Sequence, residues 1–189
     1  MKELKLKIAG IGISIKWEKS RLIDRSHPHY KDFIWNGKVD VNLRIRCGNL
    51  PEFPSGKMLF DGREEGNWRL YQSDSGFVIE TYDTLTHKKN RACFLDPDFH
   101  SGDVYIDAES ERSRRPRIKK GPFFSLPSLM QPLGEILLVN LLAKDQGIMV
   151  HGLGINDGGK GIAFVGGSGA GKSTSVSYTH LTLPTILLV

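Results

Sequence analysis

The chain predicts an α+β fold: a β-rich, antiparallel N-terminal region, then one helix, a β-hairpin and a glycine-rich loop. Three observations carry that expectation. From Met1 to about Ala108, apolar residues alternate with polar or small ones, the period of half-buried strands. Leu133, Ile136, Leu137, Asn140, Leu141 and Lys144 then recur at helical spacing. Last, two apolar runs flank the turn signal Asn156-Asp157-Gly158-Gly159-Lys160, and the second leads directly into Gly166-Gly167-Ser168-Gly169-Ala170-Gly171-Lys172-Ser173. The implied organisation is a β-rich domain over 1–108, a basic linker over 109–127, the first part of a second domain over 128–175, and a tail over 176–189.

At the N-terminus, lysines precede the apolar stretch Ile8 to Ile15. Its two glycines and a serine, with no small-residue cleavage site before Lys16-Trp17-Glu18, make it a strand rather than a secretory leader. Val39, Val41, Leu43 and Ile45 mark another strand. Asn67 to Asp83 reads as two strands around Ser73-Asp74-Ser75-Gly76, and Arg91 to Asp107 as two more around an Asp-Pro and a Ser-Gly turn. Asp96, Asp98 and Asp103 lack the third oxygen, glycine and terminal glutamate of a calcium loop, so they read as turn formers. His27 and His29 flank Pro28 in a surface loop. Trp68, Tyr71, Phe77 and Tyr82 suit a strand core, with a peptide groove as the minority reading.

The net charge of +5 is modest and gathers in Arg112-Ser113-Arg114-Arg115-Pro116-Arg117-Ile118-Lys119-Lys120, interrupted by proline. With no aromatic platform beside it, this run is a solvated linker and no nucleic-acid partner is expected. Cys47 and Cys93 form no paired motif and suit inert thiols in a reducing compartment. The most apolar helical stretch, Ile136 to Ala143, is too short to span a bilayer. No membrane partner and a cytoplasmic location follow as expectations; the oligomeric state is left open.

Pro132 suits a first helical turn and Gly147 a helix stop. Leu138, Val139 and Leu142 add a second apolar face, so the helix is expected to be buried on most sides. In the hairpin, pairing Ile155 with Gly161 across a five-residue turn sets His151 opposite Val165; a tighter turn moves that by one residue. Either way His151 lies beside the strand end where the loop begins. The loop has the spacing G-x-x-x-x-G-K-S of a phosphate cradle. Glycines at Gly166, Gly169 and Gly171 allow the torsions that aim successive amides at phosphate oxygens. Lys172 supplies a point charge for the β- and γ-phosphates, and the Ser173 hydroxyl is placed to ligate Mg²⁺. The expected cofactors are ATP and Mg²⁺, held by Gly166, Gly167, Ser168, Gly169, Ala170, Gly171, Lys172, Ser173 and Thr174.

His151-Gly152, the turn at Asn156 to Lys160 and the loop from Gly166 resemble, in order and spacing, the HPr kinase/phosphorylase family and, more distantly, ATP-dependent phosphoenolpyruvate carboxykinase. The likeness spans about Leu133 to Thr174. It implies that the hairpin and loop open an α/β P-loop kinase domain of the HPr kinase type, with His151 in the catalytic cluster near the γ-phosphate. It also implies phosphoryl transfer to a hydroxyl on a protein, peptide or small molecule. That family carries aspartate where Gly167 stands and glutamate where Thr174 stands. Together with Asn67 to Gln72 and Leu95 to Asp107, the stretch looks like a branch of HPr-kinase-related proteins, some of which resemble parts of peptide-modification cassettes.

A phosphate loop needs a helix after it, yet Val176 to Thr185 is β-branched, alternating and broken by Pro184. That run resembles a translated sequencing adapter. The expectation is therefore a truncated frame with a foreign tail, lacking the carboxylates that follow the loop in the likeness, and not catalytically competent by itself. Two other functions compete. A transporter-type ATPase would place an adenine-stacking aromatic shortly before the strand, and Gly147 to Gly161 offers none. A non-catalytic module would use nucleotide occupancy to control peptide binding by the β-rich region.

Overall fold

A computed structural model describes residues 1–18, 23–24, 28–53, 56–62, 67–110, 124–125, 131–144, 147–167, 169 and 171. The chain is α+β and mostly strand. It divides into two compact units, Met1–Leu137 and Leu138–Val189.

The first unit is built on one eight-stranded sheet. In chain order its strands are β1 (Lys2–Ile8), β2 (Ile11–Trp17), β4 (Val41–Gly48), β5 (Lys57–Asp61), β6 (Trp68–Ser73), β7 (Gly76–Tyr82), β8 (Lys89–Leu95) and β9 (Ser101–Asp107). Two-residue strands β3 (Ile23–Asp24) and β10 (Phe124–Ser125) pair with each other in parallel. Across the large sheet the order is β1-β2-β4-β9-β8-β7-β6-β5.

The expected antiparallel sheet is in fact mixed, because β4 runs parallel to both β2 and β9. Parallel neighbours need a long return. Residues 18–40, including a 3-10 turn at Pro28–Phe33, provide one such return, and the whole antiparallel run β5 to β8 provides the other. The expected single strand Ile8 to Ile15 is also corrected. The chain reverses at Ala9 and Gly10, whose φ values of 50° and 83° suit a two-residue hairpin turn, and β1 pairs with β2 from Lys2↔Trp17 to Ile8↔Ile11.

Alternation then sorts the two faces. One row of cross-strand partners runs Trp17, Ile45, Val104, Cys93, Ile79, Leu70 and Phe60, from β2 to β5. The first five of these are buried, and Leu6, Ile13, Ile15, Val41, Leu43, Leu95 and Ile106 are buried with them. On β4 the intervening Asn42, Arg44 and Arg46 are exposed. There Asp103 Oδ1 accepts from Arg46 Nε at 3.0 Å, a charge pair on a solvated surface.

Each end of the sheet is guarded against further pairing. Outside β1, the Trp35 N–H donates to the Lys5 carbonyl at 3.0 Å, and Ile34 bridges Leu6. At the other end β5 carries a bulge between Met58 and Phe60 that interrupts its ladder with β6.

Helix α1 (Leu133–Lys144) follows the expected limits. The Ile136 N–H donates to the Pro132 carbonyl at 3.0 Å, and the Gly147 N–H donates to the Leu142 carbonyl at 2.7 Å at the far end. Leu133, Ile136, Leu137, Leu138 and Leu141 are buried, whereas Val139 is 45 % exposed, so its second apolar face is only partly covered. Leu133 shares a small apolar gap with Ile79, Cys93 and Val104, which seats the first helical turn on the apolar face of the sheet. Among the described residues no helix is long and apolar enough to cross a membrane.

The second unit contains an antiparallel hairpin, β11 (Gly152–Asp157) with β12 (Lys160–Val165).

Candidate functional site

The hairpin closes through a two-residue turn. Asp157 pairs with Lys160, and Gly158 and Gly159 take φ values of 56° and 89°, the double left-handed geometry that only glycine adopts freely. This tighter turn sets Gly152, not His151, opposite Val165. His151 is therefore the residue just before β11, exposed, and continuing the register by one step places it across from Gly166, where β12 gives way to the loop.

In the loop, Gly169 and Gly171 have φ values of 81° and 79°. A side chain there would meet open space, so these two glycines are required by backbone torsion rather than by crowding. Gly166 and Gly167 have no such torsion, and a Cβ at Gly167 would also meet nothing within 4 Å. Alternating left-handed glycines let a short loop curl and turn its amides to one side, the geometry that a polyphosphate requires. The residues described thus fit a phosphate group. Ser168, Ala170, Lys172, Ser173 and Thr174 lie outside the described residues, as do His27, most of the basic linker and the tail from Val176.

The other sequence candidates resolve differently. Asp96 is a turn former: its Oδ1 accepts from the amides of Asp98 and His100 at 3.1 and 2.9 Å, and its Oδ2 accepts from the Ser101 hydroxyl at 2.6 Å. Although burial acts to raise it, these bonds hold the carboxyl below its ordinary value. Among the described residues no group of three or more His, Cys, Asp and Glu is placed to hold a metal ion. Cys93 is buried, and burial together with Asp103 pushes its thiol far up, which makes it unreactive. Phe77 stacks on Phe99 with ring centres 4.7 Å apart.

Sequence reasoning missed a cluster on the first unit. Glu80 accepts from the Tyr82 hydroxyl at 2.6 Å and from the Lys89 ammonium, while Arg69 donates to the Tyr71 and Tyr82 hydroxyls and to Asp61, each at 3.3 Å. Burial alone would raise the Glu80 carboxyl; the bonds from Lys89 and Tyr82, with the Arg69 charge, outweigh it and leave the group lowered. Beside this cluster opens a cavity of about 480 Å³, lined by Trp68, Thr81, Tyr82, Asn90, Arg91 and Glu135 among others. The groove reading of the aromatics touches it through Trp68 and Tyr82; the polar pair Asn90-Arg91 is a signal left unread.

Comparison with family models, with curated proteins and with solved structures finds no match to the chain.

Proposed function

We propose that the second unit opens a P-loop nucleotide domain and that the protein is an ATP-dependent kinase or phosphotransferase of the HPr kinase kind. The observation that carries this reading is the loop Gly166 to Ser173 leaving directly from the end of β12, with left-handed glycines at Gly169 and Gly171. The loop amides and Lys172 would hold the β- and γ-phosphates, and the Ser173 hydroxyl would ligate Mg²⁺. His151 is level with the first residue of the loop by strand register. It is an acid–base or positioning group for transfer to a hydroxyl acceptor. Mg²⁺, when bound, neutralises charge that develops on the transferring phosphoryl group.

The test is calorimetric titration of the 189-residue chain with ATP–Mg²⁺. Binding that Lys172→Ala weakens at least about tenfold supports the reading. No detectable affinity overturns it. His151→Ala is expected to leave ATP affinity within about twofold, since its role is toward the transferring group rather than the loop.

A second reading is favoured by the cavity on the sheet: a non-catalytic module in which nucleotide occupancy controls peptide binding. It predicts peptide affinity that changes with ATP in the wild type and not in Lys172→Ala.

A further inference from the structure

The cavity on the first unit is a built surface. Its floor is one cross-strand row, Trp68, Thr81 and Arg91, on the same face of the sheet as the apolar core. Its wall is the start of α1, through Gln131, Pro132 and Glu135. A volume of about 480 Å³ lies within the roughly 300–1,000 Å³ usual for small-ligand sites.

Two buried polar side chains give the floor its chemistry. Asn90 is 4 % exposed, and the Thr81 hydroxyl bonds one end of its amide at 2.6 Å. Asn90 also lines the cavity. With its oxygen accepting from Thr81, the Asn90 amide has its N–H donors to offer a ligand. Arg91 is 8 % exposed and lines both this cavity and the small gap beneath Leu133. A guanidinium offers five N–H donors in a planar fork, suited to an oxyanion in addition to any protein partner. Trp68 supplies the apolar part of the floor and is braced by Phe60, with ring centres 4.5 Å apart.

We propose that this cavity binds a ligand carrying a carboxylate or phosphate next to an aromatic or aliphatic group. The anion is held by Arg91 and the N–H donors of the Asn90 amide, and the apolar group lies on Trp68. Every lining residue belongs to the first unit, and the proposal does not rest on nucleotide binding.

The probes are N-acetylphenylalanine, phenyl phosphate and the neutral N-acetylphenylalaninamide, titrated into the full chain by calorimetry without nucleotide. Either anion is expected to bind at least about tenfold more tightly than the neutral amide, and which one does so identifies the anionic group. Asn90→Asp, close in shape but charged, and Gln131→Glu, an exposed rim change that keeps the fold, each weaken the anion at least about fivefold. Trp68→Ala weakens all three probes. Circular dichroism confirms that each variant is folded. The proposal is overturned if neither anion binds, if the anions and the amide bind alike, or if folded Gln131→Glu and Asn90→Asp both bind as wild type does.

Discussion

Single residues carry the sharpest consequences. Gly169 and Gly171 are held at left-handed φ values, whereas Gly167 is not, and all three face open space. Alanine at 169 or 171 meets a torsional penalty of about 1–2 kcal/mol. Each change is expected to weaken ATP–Mg²⁺ binding by about tenfold, while Gly167→Ala leaves it within about threefold; calorimetry on the three variants checks the contrast. Glu80 gives a test of a different kind. Its folded-state carboxyl lies below the ordinary value of 4.5, so it stabilises the fold while ionised. That contribution is fully present above the ordinary value and is lost as pH falls through the lower folded value, where the folded protein must take up a proton against Lys89 and Arg69. Urea midpoints measured downward from pH 6 should fall less steeply below pH 4.5 in Glu80→Gln than in the wild type. An unchanged slope would show that the pair with Lys89 does not matter to folding.

At the scale of elements, burial decides which apolar residues matter. Leu137 is fully buried in α1, while Val139, two residues on, is 45 % exposed. Leu137→Ala should cost about 2–5 kcal/mol by loss of contacts and creation of a cavity. Val139→Ala should change stability by less than about 0.5 kcal/mol, and chemical denaturation separates the two. Helical spacing alone gave both residues a place on an apolar face. The helix limits were legible in Pro132, Lys144 and Gly147, since each has a local reason to start or stop a helix. The hairpin β11–β12 was legible too, through its dense turn signal, but its register was not. Five turn residues allow more than one closure, and only the left-handed pair Gly158 and Gly159 selected the two-residue form. Strand β5 gave no sequence signal at all, because its residues are exposed throughout and so have no buried face to alternate with.

For the molecule as a whole, the large sheet sets a gradient of stability from centre to edges. Amides of β4, β9 and β8, paired on both sides within the sheet, should exchange with solvent most slowly in the first unit. Those of β5, an edge strand with a bulge, should exchange fastest among its strands, and hydrogen exchange by mass spectrometry tests that order. The sequence by itself determined the local features of this protein: alternating strands, the limits of one helix, a glycine turn and a loop of phosphate-binding spacing. These follow from torsions and from periodicity, which neighbouring residues fix between themselves. Only the tertiary structure decided that β4 runs parallel to both of its neighbours, and that Asn90, Arg91 and Trp68 line one cavity with the start of α1. Such arrangements depend on which distant segments bury the same apolar face, and no short stretch of chain carries that information.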